Sequence, residues 1–335
     1  MQVTVIGAGV AGLVCALELA ERGVSVQVLE RAATLEGAGC SWFAGGMLAP
    51  WCERENSDPL IATLGVEGLG WWREHFGGTV LAGTLVVAHA RDTAELGQFA
   101  ARTAHYQRLD GGQIGVLEAD LAGRFLQGLY FPEEGHLDPR AALAAIAGRL
   151  RELGVAIRFG TDGCCAAPAG PLIDCSGLAA RPHLAGLRGV KGEMLLLRLA
   201  GLSVSRPVRV LHPRMPLYIV PRAAGVFMVG ATMIESDEAL HVTARSMLEL
   251  LSAAYALHPA FGDAQIVEIS TGVRAAFADN LPHISRVDGV LHVNGLYRHG
   301  FLLAPALARR AADALLHGRH FPEVMHEDSR QRRRA

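Results

Sequence analysis

The feature that most restricts the fold is Gly7-Ala8-Gly9-Val10-Ala11-Gly12, set between the β-branched run Val3-Thr4-Val5-Ile6 and a helically spaced apolar run from Leu13 to Arg22. Gly23 marks a stop, and Val24–Leu29 reads as a second strand. A strand, a tight turn, a helix and a further strand in so short a span describe a βαβ unit with parallel strands. In a GxGxxG turn the glycines permit the bend, the approach of a pyrophosphate and the packing of helix on sheet. The helix N-terminus adds free N–H groups and the positive end of its dipole. Turns gather glycine for purely structural reasons, so the pattern alone is a weak indicator. Its context is stronger: Glu30 closes the second strand 18 residues after Gly12, where a carboxylate accepts hydrogen bonds from both hydroxyls of an adenosine ribose. An acid there also disfavours the 2′-phosphate of NADP. The motif predicts a dinucleotide and leaves NAD and FAD open.

Composition narrows the class. Glycine supplies 39 of 335 residues, above the usual share of about 7%, and charged residues make up 19% against about 25%. With 50% apolar residues, the chain is neither disordered, coiled-coil nor collagen-like. Its length suggests about two domains. A net charge of -2 predicts neither nucleic-acid nor membrane binding, and the arginine-rich end, Arg330–Arg334, reads as a solvated tail. The cysteines lack zinc-site spacing, and adjacent Cys164 and Cys165 cannot act as a CxxC pair. All six read as reduced, mostly buried thiols, with no metal site. Residues 1–17 carry no charge, but no basic region precedes them and three glycines interrupt them. A buried strand entering a turn fits better than a signal peptide or membrane span, and a cytoplasmic location is expected.

Farther along, Pro139–Gly154 reads as an alanine-rich helix leading into the strand Val155–Arg158, and Pro171–Asp174 as a strand ending in Cys175-Ser176-Gly177. These look like further pieces of the first sheet. β-rich segments at Thr79–Ala88, Glu193–Leu199, Val208–Leu211, Tyr218–Val220, Val226–Val229 and Ile266–Thr271 suit a mainly antiparallel second domain. The chain returns through Val290–Gly295 and a final helix predicted over Ala304–Leu316. An NAD domain is usually one continuous block, so a sheet completed from near the end of the chain favours FAD.

Six ordered blocks carry a resemblance over nearly the whole chain. They are the dinucleotide motif with Glu30; Ser41 with Ala44-Gly45-Gly46-Met47-Leu48-Ala49-Pro50; Tyr218-Ile219-Val220-Pro221-Arg222; Val229-Gly230-Ala231-Thr232; Gly272-Val273-Arg274; and Tyr297-Arg298-His299-Gly300 followed by Leu302-Leu303-Ala304-Pro305. In these the sequence resembles the glycine oxidase family of flavoenzymes, in the wider group of D-amino-acid and sarcosine oxidases. The resemblance implies an α/β fold: an FAD-binding Rossmann-like domain of the glutathione-reductase type, interleaved with a mainly antiparallel β substrate domain. Residues 1–75, 139–190 and 272–325 would form the first, 76–138 and 191–271 the second, and 326–335 a flexible basic tail.

The implied activity is oxidation of glycine or a close relative such as sarcosine or a small D-amino acid. The α-hydride would go to flavin N5, water would hydrolyse the imine to a 2-oxo acid and ammonia, and oxygen would be reduced to hydrogen peroxide; the resemblance also implies a place in thiamine biosynthesis. The family is often homo-oligomeric. Arg274 is the candidate anchor for the substrate carboxylate, because a guanidinium can grip it bidentately; a structural arginine tying the domains is the alternative. Tyr218 matches a tyrosine that assists that carboxylate, although a strand tyrosine is more often a core residue. Arg298 matches a position near substrate and flavin, and the backbone N–H groups of Arg298 to Leu302 would face the ring. Gly7, Gly9, Gly12, Glu30, Arg31, Ser41, Gly45, Gly46, Met47, Gly177, Arg298, Gly300, Phe301 and Leu302 form the expected cofactor set. Sarcosine oxidases attach flavin to a late cysteine, and the last one here is Cys175, so FAD is expected to bind noncovalently. The chain departs from the family at Pro216, Asn294, Leu296, His299 and Lys191-Gly192-Glu193, which leaves the substrate open. A dehydrogenase using another acceptor and a non-catalytic flavin-binding protein are the competing readings.

Overall fold

The computed structural model describes residues 2–163, 170–212, 216–238 and 241–325. Cys164, Cys165 and the Arg330–Arg334 run therefore lie outside the described residues. Two large sheets organise the chain. The first has six strands in the order His283–Val287, Val290–Asn294, Leu172–Asp174, Gln2–Ile6, Ser25–Leu29 and Ala156–Arg158. All its neighbours pair in parallel except the first two. The N-terminal strand lies in register with the second, Gln2 opposite Ser25 and Ile6 opposite Leu29. The strand is buried on both faces, as a sheet covered on both sides demands, with Val3 and Val5 on one and Thr4 and Ile6 on the other.

The helix Val10–Glu21 runs directly out of the glycine turn and is buried almost all round, from Val10 through Leu19. Glu18 sits in that buried stretch because Trp71 Nε1 donates to its Oε1 at 2.6 Å and Arg22 pairs with its Oε2 at 3.2 Å. The helix packs against the last helix, Gly300–His317.

That last helix begins four residues before the predicted Ala304 start, with Pro305 inside it. Proline removes the N–H that would bond the carbonyl of Phe301 and normally breaks a helix. Here Trp72 Nε1 donates to Phe301 O at 2.6 Å, so the freed carbonyl keeps a partner and the first turn survives. Trp72 belongs to the helix Pro59–His75, capped by the Asp58 carboxylate, which accepts from Leu60 N at 2.8 Å. Its glycines obscure it in the sequence. One has a packing reason: a Cβ on Gly68 would stand 1.9 Å from Leu302 O, so only glycine lets the two helices approach this closely.

The second sheet runs Ile234–Glu235, Arg188–Arg198, Val226–Gly230, Leu217–Pro221, Val208–Leu211, Thr84–Ala88, Gln127–Phe131 and Gln107–Asp110. The long strand Gln265–Ala276 pairs along Arg188–Arg198, with a bulge between Leu196 and Leu197. Its pairs are antiparallel except Val208–Leu211 with Thr84–Ala88. The predicted Thr79–Ala88 strand is thus shorter, and Val80 makes only an isolated bridge to His136. A second apolar core lies under this sheet, where Leu195, Ile219 and Val229 meet the helix Ala244–Leu257. Among the described residues no helix is long and apolar enough to cross a membrane.

Candidate active site

Two cavities meet between the sheets, one larger than the other. They share Val10, Cys40, Ser41, Phe43, Gly272, Tyr297 and Gly300 in their walls, so they form one elongated cleft.

The larger end is built on the glycine turn. Gly7, Gly9, Glu30, Arg31 and Gly177 line it. Gly12 does not; it is buried, and a Cβ there would stand 1.9 Å from Gly7 O, so its role is to let the helix close on the turn. Glu30 braces the same turn, Oε2 accepting from Ala8 N at 2.7 Å and Oε1 from Ala32 N at 2.8 Å. Each oxygen keeps a further lone pair, and Glu30 lines the cleft. Ser41 Oγ accepts from Val10 N at 3.1 Å and so caps the helix from a loop 31 residues away. Gly177 O accepts from Asn294 Nδ2 at 2.8 Å, which ties the turn after one strand to the end of its neighbour.

Two observations test whether this end suits a dinucleotide. The hydroxyls of Ser176 and Thr271 are buried, line the cleft and have no hydrogen-bond partner among the described residues. Buried polar groups are rarely left so, and a ligand rich in acceptor oxygens would satisfy both. The helix N-terminus at Val10 faces the same space. These residues fit a dinucleotide such as FAD.

The smaller end gathers Gly45, Gly46, Met47, Tyr218, Arg274, Arg298, Phe301 and Leu302. Arg274 lies on the long strand and donates from Nη1 to Thr232 O at 3.1 Å. Its guanidinium is seated over Gly192, where a Cβ would stand 2.1 Å from Nη2. Arg274 has no carboxylate partner among the described residues. Tyr218 is packed against Gly45, a Cβ on which would be 2.9 Å from its ring. Burial pushes its phenol upward, outweighing the nearby Arg274, so it stays protonated at neutral pH.

Arg298 lines this cavity as well, and its guanidinium is taken up by an acid there. Nε donates to Glu53 Oε2 at 2.8 Å, Nη2 also reaches Glu53, and Nη2 reaches Asn56 Oδ1 at 3.0 Å. Only Nη1 is left, 3.6 Å from the Met233 sulfur. The backbone expectation also narrows. His299 N already donates to Leu296 O at 2.9 Å, which leaves Gly300, Phe301 and Leu302 as the first-turn donors of the last helix.

Sequence reasoning missed Glu53, Arg209 and the role of His299. Glu53 is the hub of the smaller cavity: Arg209 Nη1 lies 3.0 Å from its Oε1, and His299 Nδ1 3.4 Å from its Oε2. Burial alone would raise the Glu53 carboxyl, but Arg298 and Arg209 together hold it far below the carboxylate range. Burial pushes His299 down to about 4, with Glu53 opposing and Arg298 assisting, so the imidazole is neutral at pH 7. The available signal was Arg209 between Val208 and Val210, a charge in an otherwise apolar strand. Its partner 156 residues away could not be read from spacing.

A glycine-turn α/β sheet joined to a largely antiparallel sheet, with a cleft fitted to a dinucleotide and ending in an arginine-lined cavity, defines a two-part flavin oxidoreductase. Residues 2–314 match the family described as DAO, FAD dependent oxidoreductase, and the chain belongs to that family. It is 53% identical over 324 residues to the thiamine biosynthesis oxidoreductase ThiO of Rhizobium etli, covering 96% of this chain and 99% of that one. It is 26% identical to a glycine oxidase of Geobacillus kaustophilus, over 93% of this chain and 92% of that one. The crystal structure of glycine oxidase from Geobacillus kaustophilus superposes with a TM-score of 0.81 at 24% identity, covering 96% of this chain and 95% of that one, and shows the shared fold.

Proposed function

We propose that the protein oxidises glycine or a related small amino acid, such as sarcosine or a small D-amino acid, to its imine, which water hydrolyses to the 2-oxo acid and ammonia. The observation that carries this reading is the state of the three arginines lining the smaller cavity. Arg209 and Arg298 are both held by Glu53, whereas Arg274 has no acid beside it among the described residues. A substrate carboxylate would supply that partner, and the protonated phenol of Tyr218 would add a second donor. Two fixed contacts orient the α-carbon, which is the alignment that a hydride transfer needs. The N–H groups of Gly300, Phe301 and Leu302, with the helix dipole behind them, would stabilise negative charge on the far side of the site. FAD, held by the glycine turn and Glu30, would supply the hydride acceptor, with oxygen as the final acceptor and hydrogen peroxide as its product.

In this reading the six-stranded sheet carries FAD without a covalent bond, and the nine-stranded sheet supplies the substrate side. Kinship to ThiO supports a role in thiamine biosynthesis. The test is a spectrum of the purified protein followed by anaerobic titration with glycine, sarcosine, D-alanine and larger D-amino acids. Bleaching of the flavin band by the small members is expected, with peroxide formed in air. A flavin band that none of them bleaches would overturn the proposal; bleaching without peroxide would move it to a dehydrogenase.

A further inference from the structure

The strand Leu217–Pro221 runs into Arg222, which keeps an extended backbone at φ -124° and ψ 172°. Side chains on an extended chain repeat every second residue, so Arg222 points to the same face as Tyr218, four positions earlier. Its guanidinium is spent on backbone carbonyls. Nη2 donates to Gly45 O at 2.7 Å and to Ala44 O at 3.3 Å, and Nη1 donates to Leu137 O at 2.5 Å. The acid near it, Asp138, is 3.7 Å from Nε, and its other oxygen accepts from Arg140 N and Ala141 N. Burial of this weakly paired cation pushes it down to about 10, still charged at neutral pH. A buried cation is costly unless its donors are satisfied, and here three carbonyl dipoles of two loops satisfy them.

Those loops border the site. Ala44, Gly45 and Gly46 line the smaller cavity, and Gly46 O accepts from Leu137 N at 2.9 Å, closing the arrangement from the other side. We propose that Arg222 is a positioning residue for the cofactor: by holding the carbonyls of Ala44, Gly45 and Leu137 it fixes the flavin-side loop against the strand that carries Tyr218. It thereby sets the distance between ring and substrate anchor without touching either. The inference rests on the reading that this cleft takes FAD, and it holds whichever amine is oxidised.

The experiment compares Arg222→Ala, Arg222→Lys and Arg124→Gln with the wild type as holoenzymes. Arg124 Nε donates to Leu257 O at 2.7 Å, so its variant removes an arginine-to-carbonyl bond that does not hold the 44–46 loop. The readouts are the FAD dissociation constant from flavin fluorescence, the shape and position of the visible flavin band, and kcat and KM separately for glycine. Arg222→Ala is expected to weaken FAD binding by about tenfold or more, the scale of one lost charge-assisted hydrogen bond. It should also shift the band and lower kcat more than it raises KM. Arg222→Lys should fall between, because a point charge cannot reach all three carbonyls, and Arg124→Gln should match the wild type. The proposal is overturned by a folded Arg222→Ala, judged by far-UV circular dichroism, with wild-type FAD affinity and band. It is equally overturned if Arg124→Gln weakens FAD as much. Should Arg222→Ala fail to fold, Arg222→Lys decides on the same two flavin readouts, wild-type values overturning the proposal. A wild-type chain that takes up no FAD in the same titration overturns the cofactor reading, and this inference with it.

Discussion

Replacing Arg274 by alanine removes the cation on which the proposed substrate contact depends. Of its guanidinium, Nη1 is engaged with Thr232 O at 3.1 Å, and seating over Gly192 restricts the rest to one orientation. What the variant loses is therefore a preset pair of donors for a carboxylate, in a cavity where the other two arginines are already engaged by Glu53. Truncating one side of such a charge pair costs about 2 to 5 kcal/mol, or roughly 30-fold to several thousand-fold in affinity. KM for glycine should rise on that scale in steady-state peroxide assays, while the flavin spectrum and FAD content stay those of the wild type. Arg274→Lys should remain impaired, because an ammonium cannot reproduce the fork. Gly192→Ala gives an independent check: its new methyl would stand 2.1 Å from Nη2, so the fork must shift and KM should rise although every polar group is retained. An unchanged KM in Arg274→Ala would refute the assignment. A loss of FAD in that variant would instead assign the residue to holding the two sheets together.

Further outcomes follow from the same geometry. Gly12→Ala drives a Cβ to 1.9 Å from a backbone oxygen, and should lower stability by about 1 to 3 kcal/mol and strip FAD, as read by thermal melting and by flavin retained after gel filtration. Glu53→Gln leaves Arg209 and Arg298 without their counter-charge and should cost about 3 kcal/mol at pH 7 in chemical unfolding. Because the folded Glu53 carboxyl is depressed, its contribution is complete above the ordinary carboxylate range and is lost progressively as pH falls below that range into strong acid. His136 and His299, both pushed down by burial to about 4 from 6.5, bind protons more readily when unfolded, so they make stability fall as pH drops through that interval. Glu134, pushed up by burial to about 7 from 4.5, acts in the opposite sense and removes stability as pH rises through its own window. Melting curves of Glu134→Gln should therefore gain on the wild type between about pH 5 and pH 8, and a constant difference would refute the burial argument.

The glycine turn, its flanking strands and the helix behind it were legible because each is set by neighbours in the sequence. Apolar alternation and β-branched runs marked Val208–Leu211, Val226–Val229 and Val290–Gly295 for the same reason. The polar strand Gln107–Asp110 was missed because it packs at the sheet edge with little buried surface, so no alternation was required of it. The helix Pro59–His75 was missed because Gly65, Gly68 and Gly70 weaken its local signal, and its need for a small residue comes from the last helix. The early start of that last helix was hidden by Pro305, whose cost is met by an indole more than 200 residues earlier in the chain.

By itself the sequence determined the class of ligand, since glycine spacing, a strand-end acid and a helix N-terminus are local chemistry that any fold of this chain must present together. It also put Arg274, Tyr218 and Arg298 forward as candidates around a substrate. Only the tertiary structure decided which of them are free to bind one. Arg298 stood beside Arg274 as a candidate, and only the fold shows it held by Glu53, 245 positions away, together with Arg209, which the sequence did not single out. The physical reason is that a guanidinium's availability depends on the charges that surround it in space, and chain closure brings those charges from places that no spacing rule connects.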